Sequence, residues 1–519
     1  MQLMTRKSIV KKTVQVGGYT LVSRLLGLLR EMLMSRFLGA GPFSDAFVVA
    51  FRIPNALRKV FAEGALSSAC VPTFVDAEKK GGKQAVSDIV TVSFIIFESL
   101  VILCSLVIAW HADMVTTLVA PGFSDEQKAL AVSLLRVLMP FIFFISSSSL
   151  ISGALHTANH FFVPAIGSIV LNIFFIMGLI VGLIKGLSLY GLCYFILAGA
   201  ATQLLFHIVA YFGCGFSVGD FTKQALKQFK QIIVKFLPVI VTAGIMEVNF
   251  IIDGRFASFL EQGSITLLYY AARFMGIPLG VFGVAFSTIL LPHFVRINGY
   301  APSRMRFYIL ESAKLVFWVT IPASLIMCFF SETIFYTLFF SKKFTLAQVD
   351  TASAILAAYL IGLPFFALNK ILQNVFYAHH NTTIPTIIAL FSAVIHILLN
   401  WFLVTRLGAP GLAFSTSLVG GLQALLSALW IARKFGIRMY AQQFASFMMR
   451  YALQLTVVLS IFYCIYKACL FFVVRMPMGV FFSQGLGVWL WIGPLCLAVF
   501  GVLRYTQSLF GIQLYFLEK

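Results

Sequence analysis

Basic side chains recur at helical spacing through two membrane-length segments near the start of this sequence: Arg24 and Arg30 in the first, Arg52, Arg58 and Lys59 in the second. An arginine at the centre of a spanning helix costs roughly 2.5–3.5 kcal/mol on insertion scales, so a cluster is retained where something anionic uses it. Arg24 and Glu31, seven residues apart, share one helix face, with Arg30 about a third of a turn round. Arg52, Lys59 and Glu63 fall at i, i+7 and i+11 on one stripe; Lys59 and Glu63 make a favourable i,i+4 pair, and Arg58 lies beside them. Pro54 is expected to kink this helix, freeing backbone groups that need a cavity or a neighbour. Arg273, within LLYYAARFMGIP, stands far down the chain. Setting Arg24, Arg30, Arg52, Arg58, Lys59 and Arg273 against Glu31, Asp45 and Glu63 leaves a surplus of roughly +3 in a low-dielectric setting. Guanidinium forks match phosphate oxygens bidentately, so the chemistry to expect is capture of a phosphorylated anion. The blander reading is structural pairing or snorkelling to the interface; it has about even weight for Arg52 and Arg36 near helix ends and less for the whole group.

The elements that must position these residues are membrane spans. The 519 residues are 60% hydrophobic and 11% charged, with a mean hydropathy of +0.96. Soluble proteins carry about 25% charged residues, so the fold class is an all-α polytopic membrane protein. The net charge is +20, but most basic residues fall in short loops, as on cytoplasmic membrane faces, which disfavours a nucleic-acid partner. The eight cysteines are scattered through apolar runs with no CxxC pair, and read as small buried hydrophobes, not as disulfides or metal ligands. The basic start, MQLMTRKSIVKK, lacks a cleavage site after a short apolar core and reads as a cytoplasmic tail. About fourteen stretches are long enough to cross a bilayer: 14–38, 44–74, 86–110, 128–154, 162–184, 190–216, 231–260, 264–295, 312–340, 350–378, 383–404, 410–432, 447–473 and 484–507. With alternating spans, the basic loops (Lys79, Lys80 and Lys83; Lys223, Lys227 and Lys230; Arg296, Arg304 and Arg306; Arg433, Lys434 and Arg438) fall on one side. Lys342 and Lys343 are the paired exception. Both termini are therefore predicted to be cytoplasmic.

An internal repeat appears at an offset of about 220 residues. ALSSACVPTFV (65–75) matches AFSTILLPHFV (285–295), and Pro164 of FFVPAI matches Pro385 of TTIPTI. The offset spans six helices, an even number, so the halves have parallel topology, as in transporters built from parallel repeats. This predicts an N-terminal lobe over 1–225, a C-terminal lobe over 226–440, and two appended helices over 441–519. Other ionisable groups are weaker signals. Glu247, Asn249 and Asp253 do not share one tight face. Asp253 can ligate a cation such as Na⁺, although a buried salt bridge to Arg255 or Arg273 is the more ordinary reading. Glu98, Arg136, Lys235 and Lys370 are given no role, and His156, His160, His379 and His380 are read as solvated loop residues. No hydrolase, P-loop or zinc signature appears. The serine run 146–149 reads as helix packing and backbone relief.

The run SRLLGLLRE (23–31) with GAGPFSDAFVVAFRIPNALRKVFAEGALSSACVP (39–72) closely resembles the N-terminal signature of the MurJ (MviN) lipid II flippases, and YYAARFMGIPLGVFGVAFSTILLP (269–292) resembles that family's matching segment. The resemblance covers essentially the whole chain. It implies a member of the multidrug/oligosaccharidyl-lipid/polysaccharide exporter superfamily in the bacterial inner membrane. Such a protein moves the undecaprenyl-pyrophosphate-linked peptidoglycan precursor, lipid II, from the cytoplasmic to the periplasmic leaflet, with the cell-wall synthesis machinery as its setting. The family's cavity arginines carry over onto Arg24, Arg30, Arg58 and Arg273, and its supporting charged positions onto Asp45, Arg52, Lys59 and Glu63. The two appended helices correspond to those that form a groove for the lipid tail. One departure is that Ala272, where members often have an acid, precedes Arg273. Some members have a sodium site in the second lobe, for which Asp253 is the candidate here.

The expected mechanism is alternating access: pyrophosphate docks on the arginines, the polyprenyl tail stays in lipid, and the lobes rock about a site between spans 1, 2, 7 and 8. No covalent chemistry or cofactor is needed, so the chain is expected to be a transporter and not an enzyme, with Na⁺ or the membrane potential as candidate driving forces. Three rivals stay open: a multidrug cation antiporter on the same fold, whose cavity would be acidic and aromatic; a flippase for another lipid-linked oligosaccharide; and a non-transporting scaffold with structural arginines.

Overall fold

A computed structural model describes residues 6–61, 65–379, 381–434, 440–475 and 478–517. Glu63, His380 and Arg438 lie outside the described residues. The helices in chain order are α1 (Arg6–Leu38), α2 (Pro42–Phe61), α3 (Ala65–Ser93), α4 (Ser99–Trp110), α5 (Ala112–Val119), α6 (Asp125–Leu138), α7 (Pro140–Thr157), α8 (Phe162–Lys185), α9 (Leu189–Gly213) and α10 (Lys223–Ala257). They continue with α11 (Ser264–Pro278), α12 (Ala285–Tyr300), α13 (Met305–Phe329), α14 (Ser331–Phe339), α15 (Leu346–Ala378), α16 (Thr383–Leu407), α17 (Ala409–Lys434), α18 (Ala441–Val474), α19 (Gly479–Ser483) and α20 (Val488–Thr506). Two π-turns, Phe94–Glu98 and Leu279–Val284, join α3 to α4 and α11 to α12. Among the described residues there is no sheet, only an isolated bridge between Ser341 and Phe344.

The protein is thus all-α and multi-pass. Among the described residues, eleven helical stretches are long and apolar enough to cross a membrane. The basic helices α1 and α2 are not among the eleven. The two repeat landmarks fall at matching places. Ala65 and Ala285 open α3 and α12, with Pro72 and Pro292 in corresponding turns, and Pro164 and Pro385 are each the third residue of their helix, α8 and α16. All eight cysteines are free.

Two compact units divide the chain, residues 1–266 and 267–519. In the first, α1 packs on α8, α2 on α6, α7 and α10, and α3 on α7 and α10. Phe47 and Phe51 of α2 stack in parallel at 5.9 Å, and both meet Phe175 of α8 edge-on, at 6.3 and 5.8 Å. Arg30 of α1 rests against this aromatic wall, its guanidinium carbon over the Phe175 ring. Helix α3 breaks at Gly81–Gly82, where Gly82 takes φ +65° and ψ −159°, a conformation open only to glycine. In the second unit α15 is central, touching α12, α13, α14 and α17, while α18 and α20 pair and α18 also packs on α13. Its core is aliphatic and aromatic, with Phe294, Ile371, Val375 and Phe376 fully buried in one cluster. Tyr451 and Ile492 anchor another.

Candidate functional site

On α1, the i,i+7 and i,i+6 spacings separate the two arginines. Arg24 is exposed. Arg30 is held: its Nη1 donates to Asn172 Oδ1 of α8 at 3.0 Å, its Nη2 donates to Glu31 Oε1 at 2.6 Å, and its guanidinium carbon sits 5.0 Å from the Phe175 ring centroid. Asn172 is fixed in turn, its Nδ2 donating to the Ser23 carbonyl at 3.3 Å, and the Ser23 hydroxyl reaches Ser168 Oγ at 3.1 Å. Glu31 is buried and paired with its neighbour Arg30, where face arithmetic had set it against Arg24. Arg30 Nε is buried with no hydrogen-bond partner among the described residues, so its N–H is in reserve.

Two members of the stripe expected on α2, Arg52 and Lys59, face α10. Lys59 Nζ donates to Glu247 Oε1 at 2.9 Å. Seven residues back, Arg52 Nη1 lies 3.9 Å from where a Cβ on Gly254 would stand, beside the buried Asp253. Positions 52 and 59 therefore meet 254 and 247 in antiparallel register, two helical turns apart on each helix. Sequence reasoning matched Lys59 to Glu63, which lies outside the described residues, and missed Glu247; the mirrored seven-residue step was the available signal. Arg58 turns off the stripe, its Nε donating to Asn55 Oδ1 at 3.0 Å, one turn after the buried Pro54 inside the helix.

Asp45 does not join the basic groups. It is buried, and both carboxylate oxygens accept from the segment that opens α11: Gly263 N to Oδ2 at 2.7 Å, Thr266 N to Oδ1 at 2.8 Å and Thr266 Oγ1 to Oδ1 at 2.6 Å. It thus satisfies backbone donors that the first helical turn cannot pair internally. Gly263 makes this possible with φ +97°, and a Cβ there would come 2.5 Å from the Ala40 carbonyl oxygen.

In the second unit, Arg273 is exposed on α11. Its Nη2 donates to Tyr269 Oη at 2.9 Å, and its guanidinium carbon lies 5.0 Å from the Tyr269 ring centroid. The aromatic partner one turn back stands where an adjacent acid was expected from the resemblance. Among the described residues no group of three or more His, Cys, Asp or Glu side chains could hold a metal ion. The expectation of solvated loop histidines is corrected at two positions: α7 runs past the end expected from sequence to enclose His156, and His379, in the loop as expected, folds back on the end of α15. His156 lies inside α7, its ring 5.1 Å from Phe161 and its Nδ1 buried, and His379 Nδ1 is 2.8 Å from the Val375 carbonyl oxygen.

The multi-pass architecture has the fold of solved transporters of the MOP superfamily. A multidrug resistance MATE family transporter of that superfamily, solved inward-facing, superposes with a TM-score of 0.68 at 16% identity, covering 79% of this chain and 93% of the other. A structure titled lipid II flippase MurJ, inward closed conformation, superposes with a TM-score of 0.75 at 24% identity, covering 96% and 99%. The family model described as lipid II flippase MurJ matches residues 34–483. The chain belongs to the lipid II flippase MurJ family, a family of transporters and not enzymes. Curated relatives agree. The Burkholderia cenocepacia lipid II flippase MurJ is 33% identical over 439 residues, covering 83% of this chain and 85% of that protein. A probable lipid II flippase MurJ of Rhizobium meliloti is 33% identical over 429 residues, covering 81% and 80%. Another from Buchnera aphidicola subsp. Schizaphis graminum is 30% identical over 520 residues, covering 98% and 97%.

Proposed function

We propose that this chain carries lipid II from the cytoplasmic to the periplasmic leaflet of the bacterial inner membrane by alternating access. Its fourteen spans form two six-helix lobes and two appended helices, and both termini are cytoplasmic. Arg24, Arg30, Arg58 and Arg273 contact the substrate pyrophosphate. Arg52 and Lys59 hold α2 on α10, Asp45 fixes the start of α11, and Glu63 balances charge at the end of α2. The single observation carrying this reading is the recurrence of basic residues along α1 and α2, in a family whose members are named for lipid II. Arg30 illustrates the chemistry: it is oriented by an amide, a carboxylate and a ring, with its Nε–H unused. A bidentate guanidinium–diphosphate contact is strong only when the fork is oriented in advance.

Binding drives the cycle only as far as the two states bind the ligand differently. Uncompensated positive charge also couples movement to the membrane potential, at about 2.3 kcal/mol per charge per 100 mV. No organic cofactor is required. A sodium ion held partly by Asp253 is an alternative source of drive, and enzymes of cell-wall synthesis are the expected neighbours. The test is a leaflet-specific assay of lipid II in cells depleted of this protein. Wild type should restore periplasmic exposure, and Arg24→Ala, Arg58→Ala and Arg273→Ala should not, at unchanged protein level. Restoration by all three variants would overturn the assignment. Accumulation of a different lipid-linked glycan on depletion would redirect it to another substrate of the same chemistry.

A further inference from the structure

The first unit holds a carboxyl for which the arginine site has no use. Glu98 closes the π-turn Phe94–Glu98 and is 2% exposed. Its Oε2 lies 2.6 Å from Ser146 Oγ on α7, and Ser147 faces the same carboxyl. Phe97 beside it packs edge-on against Phe236 of α10, with centroids 5.7 Å apart. The serine run and the intramembrane acid, unconnected in the sequence, form one buried cluster. π-turns interrupt the i→i+4 ladder and recur at functional sites. Here the Ser99 hydroxyl takes up the Ile95 carbonyl at 2.5 Å.

The hydrogens of this cluster can be counted. Ser146 Oγ lies 3.2 Å from the Phe143 carbonyl as well as beside Glu98, and a hydroxyl has one hydrogen to give. With Glu98 ionised, that hydrogen goes to the carboxylate. Glu98 Oε1 is buried with no hydrogen-bond partner within range among the described residues, so the cluster then holds a buried negative charge faced only by serine hydroxyls, with no cation. With Glu98 protonated, its O–H donates to Ser146 Oγ, Ser146 donates to the Phe143 carbonyl, and the groups left unmet, Glu98 Oε1 and Ser147 Oγ, are both neutral. The protonated arrangement satisfies more groups and buries no charge.

Titratable groups on the packed elements are engaged elsewhere. On α3, Asp88 accepts from Gln84 and from the Asp220 N–H. Cys104 on α4 is a free thiol, His156 on α7 stacks on Phe161, and Glu247 on α10 holds Lys59. Lys235, the residue before Phe236, has its side chain outside the described residues and serves as a control.

We propose that Glu98 is a proton-binding site of the transport cycle. It carries a proton in the conformation seen and releases it to water when α7 and the π-turn separate, so that the transmembrane proton gradient can drive the cycle. This rests on the transporter reading, but its primary test does not need transport. Infrared difference spectra across a pH titration of the purified chain in lipid nanodiscs should contain the C=O stretch of a buried carboxylic acid. That band should vanish in Glu98→Gln, shift in Ser146→Ala and persist in Lys235→Met. In proteoliposomes, Glu98→Gln should lose any stimulation of transport by a proton gradient while keeping the binding of undecaprenyl pyrophosphate. A band that persists in Glu98→Gln, or one lost in Lys235→Met, would overturn the proposal, as would a gradient response unchanged by Glu98→Gln. If Glu98→Gln does not fold, Ser146→Ala decides, because a band that it leaves unmoved contradicts the site.

Discussion

Arg30 and Arg273 are flagged by the same argument, a guanidinium inside a membrane-length segment, yet their surroundings differ. Arg30 is half-buried and clamped by Asn172, Glu31 and the Phe175 ring. Arg273 is exposed and leans on Tyr269, a neutral partner of its own helix. The first has its orientation fixed and much of its charge neutralised. The second meets the hydroxyl and the ring of Tyr269 one turn back on its own helix. Basic residues within a span can therefore stand in different settings, one buried against a neighbouring helix and one exposed, and only the partners distinguish the two.

Removing each partner set should sharpen that contrast. Arg30→Ala is expected to have the largest effect. It abolishes transport and takes from the buried Glu31 the guanidinium it pairs with, at a cost of about 3–5 kcal/mol. Arg30→Ala with Glu31→Ala should restore protein levels but not transport, read by membrane abundance beside the leaflet assay. Rescue of both would make Arg30 purely structural. Arg273→Ala should also abolish transport, but with stability within about 0.5 kcal/mol of wild type in thermal unfolding, as expected of an exposed position.

Asp45→Ala removes the acceptor for the donors that open α11 and should cost about 1–2 kcal/mol in the same unfolding measurement, in the range of a lost helix cap. Glu247→Gln breaks a pair whose lysine side chain is 36% exposed, so the expected loss is at most about 1 kcal/mol. Tyr269→Phe should be the mildest. It removes one hydrogen bond to Arg273, lowers the transport rate slightly and leaves stability unchanged. A loss as large as that of Arg273→Ala would mean that Tyr269 itself contacts substrate.

Much of this was legible in the sequence. Apolar runs located the helices, and the 3.6-residue period placed Arg52 and Lys59 on one stripe, because both signals are local. The partners across that stripe were not legible. Asn172 is neutral and lies 142 residues from Arg30, and Glu247 lies 188 residues from Lys59. The role of Asp45 was hidden for another reason: most of its donors are backbone N–H groups, which leave no mark in residue type. The π-turn at Phe94–Glu98 likewise has no compositional signature, so Glu98 and the serine run could not be joined before the helices were placed.

The claim beneath all of this is that arginines on α1, α2 and α11 bind a diphosphate. The most direct measurement is equilibrium binding of undecaprenyl pyrophosphate, with uncharged undecaprenol beside it, to purified wild type and to Arg24→Ala, Arg58→Ala and Arg273→Ala. The expected result is salt-sensitive binding of the diphosphate, weakened about tenfold or more by each substitution, roughly 1.4 kcal/mol apiece, with no comparable binding of the alcohol. Equal affinity for the two lipids, or a diphosphate affinity that none of the three substitutions alters, would contradict it.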